Sequence, residues 1–365
     1  MQINPNLELL IQDLNHNFTK KADGRNYNEC IKIINQIFQL IKTNDEIYNL
    51  FLDELEKNFL IYFKNLIKNN ISRNHTNEIS SDELLKEKVS IKNLEKKLID
   101  YILNSIKPEI AVLKKNELQN KIERSDLTIS GGAKIRNIIN ILNKELSLNG
   151  HMNSVSSYLG QKSWISGLAI ELSSEKSNWW KHQKNTKEPK TLAVHLDKDF
   201  ASIKSILYLT DVNENSGPFS VYPYIYENLK LNIAQDIVGR IIHETAINTK
   251  IKKLVNYFNF KNKAQPFLSE NFKKIYNSIP KNITFDSHFG WELNADSKEE
   301  KEILEKKKTI LGGAGTLITF DGSTLFHSGG LVKKGNRLVF QIIYSKKENI
   351  YFHYLKKIKN KYLNF

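Results

Sequence analysis

Apolar positions recur at helical spacing through the first third of the chain. Between Cys30 and Ile41 they fall at 31, 33, 34, 37, 38 and 41, one stripe of an amphipathic helix. Leu50, Phe51, Leu55, Phe59, Leu60, Tyr62, Phe63 and Ile67 continue the pattern. Strong breakers are missing: no proline lies between Pro5 and Pro108, and no glycine between Gly24 and Gly131. Residues 1–125 are therefore expected to form consecutive helices. Within them 70–82 is polar and reads as a loop. Ser81 or Asp82 is placed to cap a helix running towards Ile106, and Pro108 ends or kinks it.

The pattern changes after the break at Ser130-Gly131-Gly132. Residues 134–146 read as a short amphipathic helix, 151–164 as mixed, and 164–172 as a strand. Residues 205–210 and 219–222 are rich in β-formers and flank a polar turn ending in Gly217-Pro218, so they are expected to pair as a hairpin-like unit. Helical spacing returns from Glu227 to about Phe260, with Ile233, Ile237, Ile241 and Ile242 on one side. The polar, lysine-rich stretch 261–308 holds a further element at 285–291. Strand signals follow at 309–320, 325–327 and 337–344, then a basic, aromatic tail of helical character at 351–365. The expectation is an α+β protein: a helical N-terminal region (1–125) and a β-rich domain (126–365) carrying a helical insert at about 226–308.

Composition narrows the class. Apolar residues make up 40% of 365, enough for a sizeable core. The single cysteine, Cys30, excludes an internal disulfide and a zinc–thiolate site. The start of the chain lacks the features of a signal peptide, and no apolar run reaches the roughly 18 residues of a spanning helix, so a cytoplasmic protein is expected. The net charge of +14 would suit a polyanion or an anionic small molecule. Its basic residues are scattered and mixed with glutamates, however, and no nucleic-acid-binding motif stands out. A small-molecule substrate is the expected partner, an anionic one being compatible with the charge. Oligomeric state is not legible.

The candidate chemistry centres on Thr191-Leu-Ala-Val-His195-Leu-Asp197, an apolar and extended segment. Side chains two apart on a strand share a face, so His195 and Asp197 look the same way, about 6–7 Å apart along the chain. A second histidine, His327, follows on a later strand, and Arg337 lies ten residues beyond it. Two neutral imidazoles and one carboxylate are the facial donor set of non-haem Fe(II) oxygenases, which leaves positions open on the metal. Arg337 offers a planar fork that matches a carboxylate, as a 2-oxo acid cosubstrate would need. Gln341 shares its face by strand alternation. A cupin-like double-sheet jelly roll would bring these distant residues together. A lone His-x-Asp is common by chance; the later histidine and arginine strengthen the set, the alternative being that His195 and His327 are structural histidines and Arg337 a surface ion-pair former. Asp199 is the competing carboxylate, but Asp197 reaches the same ion as His195 without a bulge.

Other motifs weigh less. Trp179, Trp180 and His182 precede the motif and are candidates to line a substrate pocket, Trp180 and His182 foremost; adjacent tryptophans also plug sheet ends. His151 is a further pocket candidate, or a surface histidine. His243-Glu244 lacks the second histidine of a zinc-protease helix, and Gly312-Gly-Ala-Gly315 lacks the ending of a phosphate-binding loop.

Residues of about 190–225 and 314–345 resemble the phytanoyl-CoA dioxygenase-like branch of Fe(II)/2-oxoglutarate oxygenases. His195-Leu-Asp197 is similar to its His-x-Asp motif. The stretch Tyr208-Leu-Thr-Asp-Val-Asn-Glu-Asn-Ser-Gly217-Pro-Phe-Ser-Val-Tyr222-Pro223 is similar to its strand, Gly-Pro turn and following strand. Phe320-Asp-Gly-Ser-Thr-Leu-Phe-His327, with Arg337 and Gln341 after it, is similar to its distal histidine and cosubstrate segment. The resemblance implies a double-stranded β-helix core and iron at His195, Asp197 and His327. It further implies 2-oxoglutarate held by Arg337, with Tyr208 and Gln341 near it, and dioxygen-dependent hydroxylation of a small molecule with release of succinate and CO2. The family's Pro-Gly-Ser-His after the hairpin is here Tyr222-Pro-Tyr-Ile, and the helical N-terminal region has no counterpart. Retention of Asp197 argues against a halogenase. The alternatives are desaturation or ring closure at the same iron centre, and a non-catalytic binding or scaffold protein that keeps the barrel.

Overall fold

A computed structural model describes residues 4–19, 24–46, 48–53, 55–57, 59–61, 83–121, 124–159, 162–177, 194–197, 203–225, 232–247, 269–286, 290–294 and 297–346. Its strands are β1 (Val89–Asn93), β2 (Thr128–Ser130), β3 (Ser163–Ser174), β4 (His195–Asp197), β5 (Ile203–Tyr208), β6 (Phe219–Ile225), β7 (Ile283–Asp286), β8 (Gly290–Leu293), β9 (Lys308–Ile310), β10 (Thr316–Asp321), β11 (Leu325–Ser328) and β12 (Asn336–Lys346). They form two antiparallel sheets of six, ordered β1-β10-β5-β12-β3-β2 and β7-β8-β4-β11-β6-β9.

The first sheet is covered on both faces, and its sequence alternates accordingly. Leu168, Ile170 and Leu172 of β3 and Leu338, Phe340 and Ile342 of β12 point outward into a core shared with helices Lys96–Ser105, Ala133–Leu148 and His151–Leu159. Tyr208, Ile318, Phe320 and Val339 point the other way and meet Phe219, Val221, Ile310 and Leu325 of the second sheet. The two sheets therefore face one another across an apolar interior, and the residues of interest project into it.

Several strand expectations hold in position but not in pairing. β5 and β6 are not a hairpin: β5 belongs to the first sheet and β6 to the second. The 211–218 turn carries the chain across the interior, bending at Gly217, whose φ is +72°. A Cβ there would stand 2.6 Å from the Gly330 carbonyl oxygen, so both backbone angle and space require glycine. The run 309–320 is likewise split, β9 lying in one sheet and β10 in the other. Apolar alternation marks a strand, but not which of two facing sheets it joins.

The helix expected from Ser81 or Asp82 towards Ile106 is interrupted. Helix Glu83–Glu87 stops at Lys88, whose φ of 62° is left-handed, and Val89–Asn93 becomes an edge strand on β10. The breaker is a lysine, so its effect was not visible in composition. Residues 151–164, read as mixed, form a helix over His151–Leu159 before β3 begins.

Helices Pro5–Thr19 and Gly24–Ile41 bury Leu7, Leu14, Ile34 and Phe38 against Ile237, Val238 and Phe272 of helices Ile233–Ile247 and Glu270–Ser278. The inserted segment is not wholly helical: it also supplies β7 and β8, which extend the second sheet next to β4. A buried anchor joins these parts. Trp291 on β8 donates its indole N–H to Asp236 at 2.6 Å, and Asp236 holds Arg240 through both carboxylate oxygens. Among the described residues no helix is long and apolar enough to cross a membrane.

Candidate metal centre

β4 lies between β8 and β11 in the second sheet, and its three residues are all buried. His195 is the direct cross-strand partner of His327 on β11. Their ring centroids are 4.3 Å apart. Period-2 alternation turns Asp197 to the same side, as the sequence predicted. Asp197 Oδ1 lies 4.0 Å from His195 Nε2 and 3.7 Å from His327 Nε2. These separations are too long for hydrogen bonds. One ligand atom from each of the three residues falls within 4.8 Å of the others.

The environment prepares the donors. The Nδ1 of His327 is 3.0 Å from the Leu325 carbonyl oxygen, which accepts its proton and leaves the Nε2 lone pair facing Asp197. Burial, and then His195 beside it, pushes the His327 imidazolium down to about 3, so the ring is neutral near pH 7. Burial alone would raise the Asp197 carboxyl, but Lys204, His327 and His195 outweigh it and hold the group down at about 2. Lys204 reaches in from β5 of the opposite sheet, its Nζ 2.8 Å from Asp197 Oδ2. The rings of Phe320 and Phe219 pack on His327 at 4.8 and 5.8 Å between centroids and shut water from that side.

Two neighbours were not singled out from the sequence. Gly322 accepts the Asp197 N–H at 2.6 Å, and a Cβ on it would stand 1.9 Å from Asp197 Oδ2. The bare Cα is what makes room for the carboxylate. Asp321 fixes the turn that presents it, accepting from Ser323 N–H, the Ser323 and Thr324 hydroxyls, and the Tyr158 hydroxyl at 2.5 Å. The Asp-Gly-Ser-Thr run signals a turn; only the register shows that it abuts β4.

Arg337 is 8% exposed. Its guanidinium donates to the Gly217 carbonyl and to Ser173 Oγ at 3.3 Å, and Nε has no hydrogen-bond partner among the described residues. No carboxylate pairs with it among those residues. Tyr208 lies near it. The Tyr208 hydroxyl donates to the Ile310 carbonyl at 2.9 Å, accepts the Phe219 N–H at 3.0 Å, and is raised in pKa by burial. Gln341 donates to Glu171 Oε2 at 2.6 Å. His151 is neither a surface nor a pocket residue: it is fully buried behind the first sheet, its Nε2 3.1 Å from Thr319 Oγ1. Trp179, Trp180, His182 and Asp199 lie outside the described residues, as does the tail from 347.

Two buried imidazole nitrogens and a carboxylate, converging without bonding one another, fit a first-row divalent metal such as iron. Neither a family model nor a curated protein sequence matches the chain. Among solved structures, EctD from S. alaskensis, with 2-oxoglutarate and 5-hydroxyectoine, is similar at 10% identity over 74% of this chain and 78% of that one, TM-score 0.39. The epimerase SnoN, in complex with Fe3+, alpha-ketoglutarate and nogalamycin RO, is similar at 11% identity over 72% and 81%, TM-score 0.37. The alpha-ketoglutarate-dependent carbocyclase SnoK from nogalamycin biosynthesis is similar at 10% identity over 75% and 85%, TM-score 0.37.

Proposed function

We propose that the chain is an Fe(II)- and 2-oxoglutarate-dependent oxygenase of the phytanoyl-CoA dioxygenase-like kind, acting in the cytoplasm on a small molecule. The observation that carries this is the convergence of His195 Nε2, His327 Nε2 and Asp197 Oδ1 in the buried interior between the sheets, where His327 is held neutral and Asp197 ionised. The strand order supports a double-stranded β-helix: β3, β4, β5 and β6 alternate between the sheets, as do β10, β11 and β12. Residues 126–346 supply both sheets apart from the edge strand β1, which supports a catalytic domain beginning near 126.

His195, Asp197 and His327 would hold the metal. Bound there with 2-oxoglutarate, Fe(II) supplies oxidation by dioxygen, with succinate and CO2 formed from the cosubstrate and two electrons taken from the substrate. Arg337 would bind the distal carboxylate of 2-oxoglutarate: it is a buried fork-shaped cation with an idle Nε and no carboxylate of its own among the described residues. Tyr208, pinned between β6 and β9, holds that wall rigid. The apolar rings of Phe219 and Phe320 would keep water from the reacting centre. Hydroxylation is the outcome proposed.

The test is anaerobic titration of purified protein with Fe(II) and then 2-oxoglutarate, followed by oxygenation in a metabolite extract. One Fe(II) per chain, binding of 2-oxoglutarate only with metal present, and succinate formed with a one-oxygen mass gain are expected. Protein that takes up no Fe(II) would sink the proposal.

A further inference from the structure

The two oxygens of Asp197 have different surroundings. Oδ1 faces both histidine nitrogens, at 4.0 and 3.7 Å. Oδ2 is met by the Lys204 ammonium at 2.8 Å, and a Cβ on Gly322 would stand 1.9 Å from it. From this asymmetry we infer that Lys204 is a positioning residue which reserves Oδ2 and leaves Asp197 to meet the metal through Oδ1 alone. The inference rests on the metal-centre reading proposed above and adds a role for a residue that is not a ligand.

The physical argument concerns competition for one oxygen. A carboxylate can bind a divalent ion through one oxygen or both. Engaging both would occupy a further coordination position, one of those that a cosubstrate and dioxygen need. Asp197 Oδ2 is buried without a well-formed hydrogen bond among the described residues, so its contact with Lys204 is an ion pair, and a low-dielectric setting strengthens such a pair. Asp197 is 7% exposed and the Lys204 side chain 30%, so the carboxylate end of the pair is shielded from water while the ammonium end is partly open to it. The lysine is also well placed to stay. Its strand pairs with β10 so that Lys204 is opposite Phe320, the residue whose ring packs on His327. Lys204 and Asp197 belong to opposite sheets, so the contact fixes carboxylate rotation relative to both walls of the interior.

The test compares wild type with Lys204→Met, which keeps the stem and removes the ammonium, and Lys204→Arg, which restores a cation. Mn(II) is the probe, added anaerobically without cosubstrate, and water-proton relaxation counts the exchangeable waters on the bound ion. Calorimetry gives Mn(II) occupancy and affinity. Lys204→Met is expected to hold one Mn(II) with unchanged or tighter affinity and about one coordinated water fewer, as the freed Oδ2 takes that position. Lys204→Arg is expected to recover the wild-type hydration. A merely structural lysine would move melting temperature and affinity without moving hydration. Lys204→Leu, which likewise carries no donor, replaces Lys204→Met should that variant fail to fold. Equal hydration of wild type and Lys204→Met at full occupancy would overturn this inference and leave the metal centre standing. Wild-type protein that binds no Mn(II) or Fe(II) would overturn both.

Discussion

His195 and His327 face each other across the β4–β11 pairing, and their rings stand 4.3 Å apart, tilted by 54°. A register slip of one residue would turn either ring out of the interior, because strand side chains alternate with period two. The turn after β10 sets that register: Gly322 accepts the Asp197 N–H, and the Asp321 carboxylate accepts four hydrogen bonds. Gly322→Ala would place a methyl 1.9 Å from Asp197 Oδ2 and 2.7 Å from its Cγ, so carboxylate or turn must move. Mn(II) affinity should fall at least about tenfold, roughly 1.4 kcal/mol. Calorimetric titration beside a urea melt checks it; unchanged affinity would show that the turn yields instead.

Arg337 should govern cosubstrate affinity without governing metal affinity. Lysine keeps the charge and loses the fork, so Arg337→Lys should weaken 2-oxoglutarate binding and Arg337→Ala should weaken it more, by roughly 2–5 kcal/mol as for one-sided truncation of a buried charge pair. Fe(II) content should stay at one per chain. Anaerobic titration of the Fe(II) protein measures both. An alanine variant with wild-type cosubstrate affinity would move the anchor elsewhere.

Tyr344 predicts an alkaline limit. Its hydroxyl is buried 2.8 Å from Ser205 Oγ, and burial pushes it up to about 12. An unfolded tyrosine ionises near pH 10. Between those values the unfolded chain loses a proton that the folded chain keeps, so this stability is complete below about pH 10 and is lost as pH rises towards 12. The loss amounts to about 2–3 kcal/mol across the window. Tyr344→Phe should cost about 1 kcal/mol near neutrality and flatten the alkaline decline. Urea midpoints across that range decide it; an equally steep decline in the variant would assign the effect to another group.

Cys30 should be inert in the folded protein. It is 1% exposed among Ile33, Ile34 and Phe38, and burial, with Glu29 nearby, pushes its thiol up to about 11. At pH 8 roughly one thiol in a thousand is ionised. Modification by a chromogenic disulfide should take hours in buffer and seconds in denaturant. Rapid labelling of the native protein would mean that the N-terminal helical layer opens readily.

The candidate metal site was more legible than the frame that builds it. His195, Asp197 and His327 could be paired from alternation and residue chemistry, and the structure brings them together. Alternation does not say which sheet a strand joins, which is why β5 and β6 read as a hairpin. Lys88 breaks a helix by its backbone angle, an effect that a lysine does not advertise in sequence. Gly322 meets Asp197 from a segment 125 positions away, and Lys204, only seven positions on, meets it from the opposite sheet. Their signals, one lysine among many and one glycine in a turn, gain meaning only from register.

The pairing of His195 with His327 also bears on the order in which the protein assembles. β5, β6 and the inserted segment lie between β4 and β11 in the chain, so the contact of these two strands closes a long loop. Pairings of such high sequence separation form slowly and late. A metal ion whose three donors converge only on closure cannot guide the early steps; it can act only as a latch. Stopped-flow refolding should therefore proceed at the same rate with and without Mn(II), while unfolding slows as Mn(II) saturates the site.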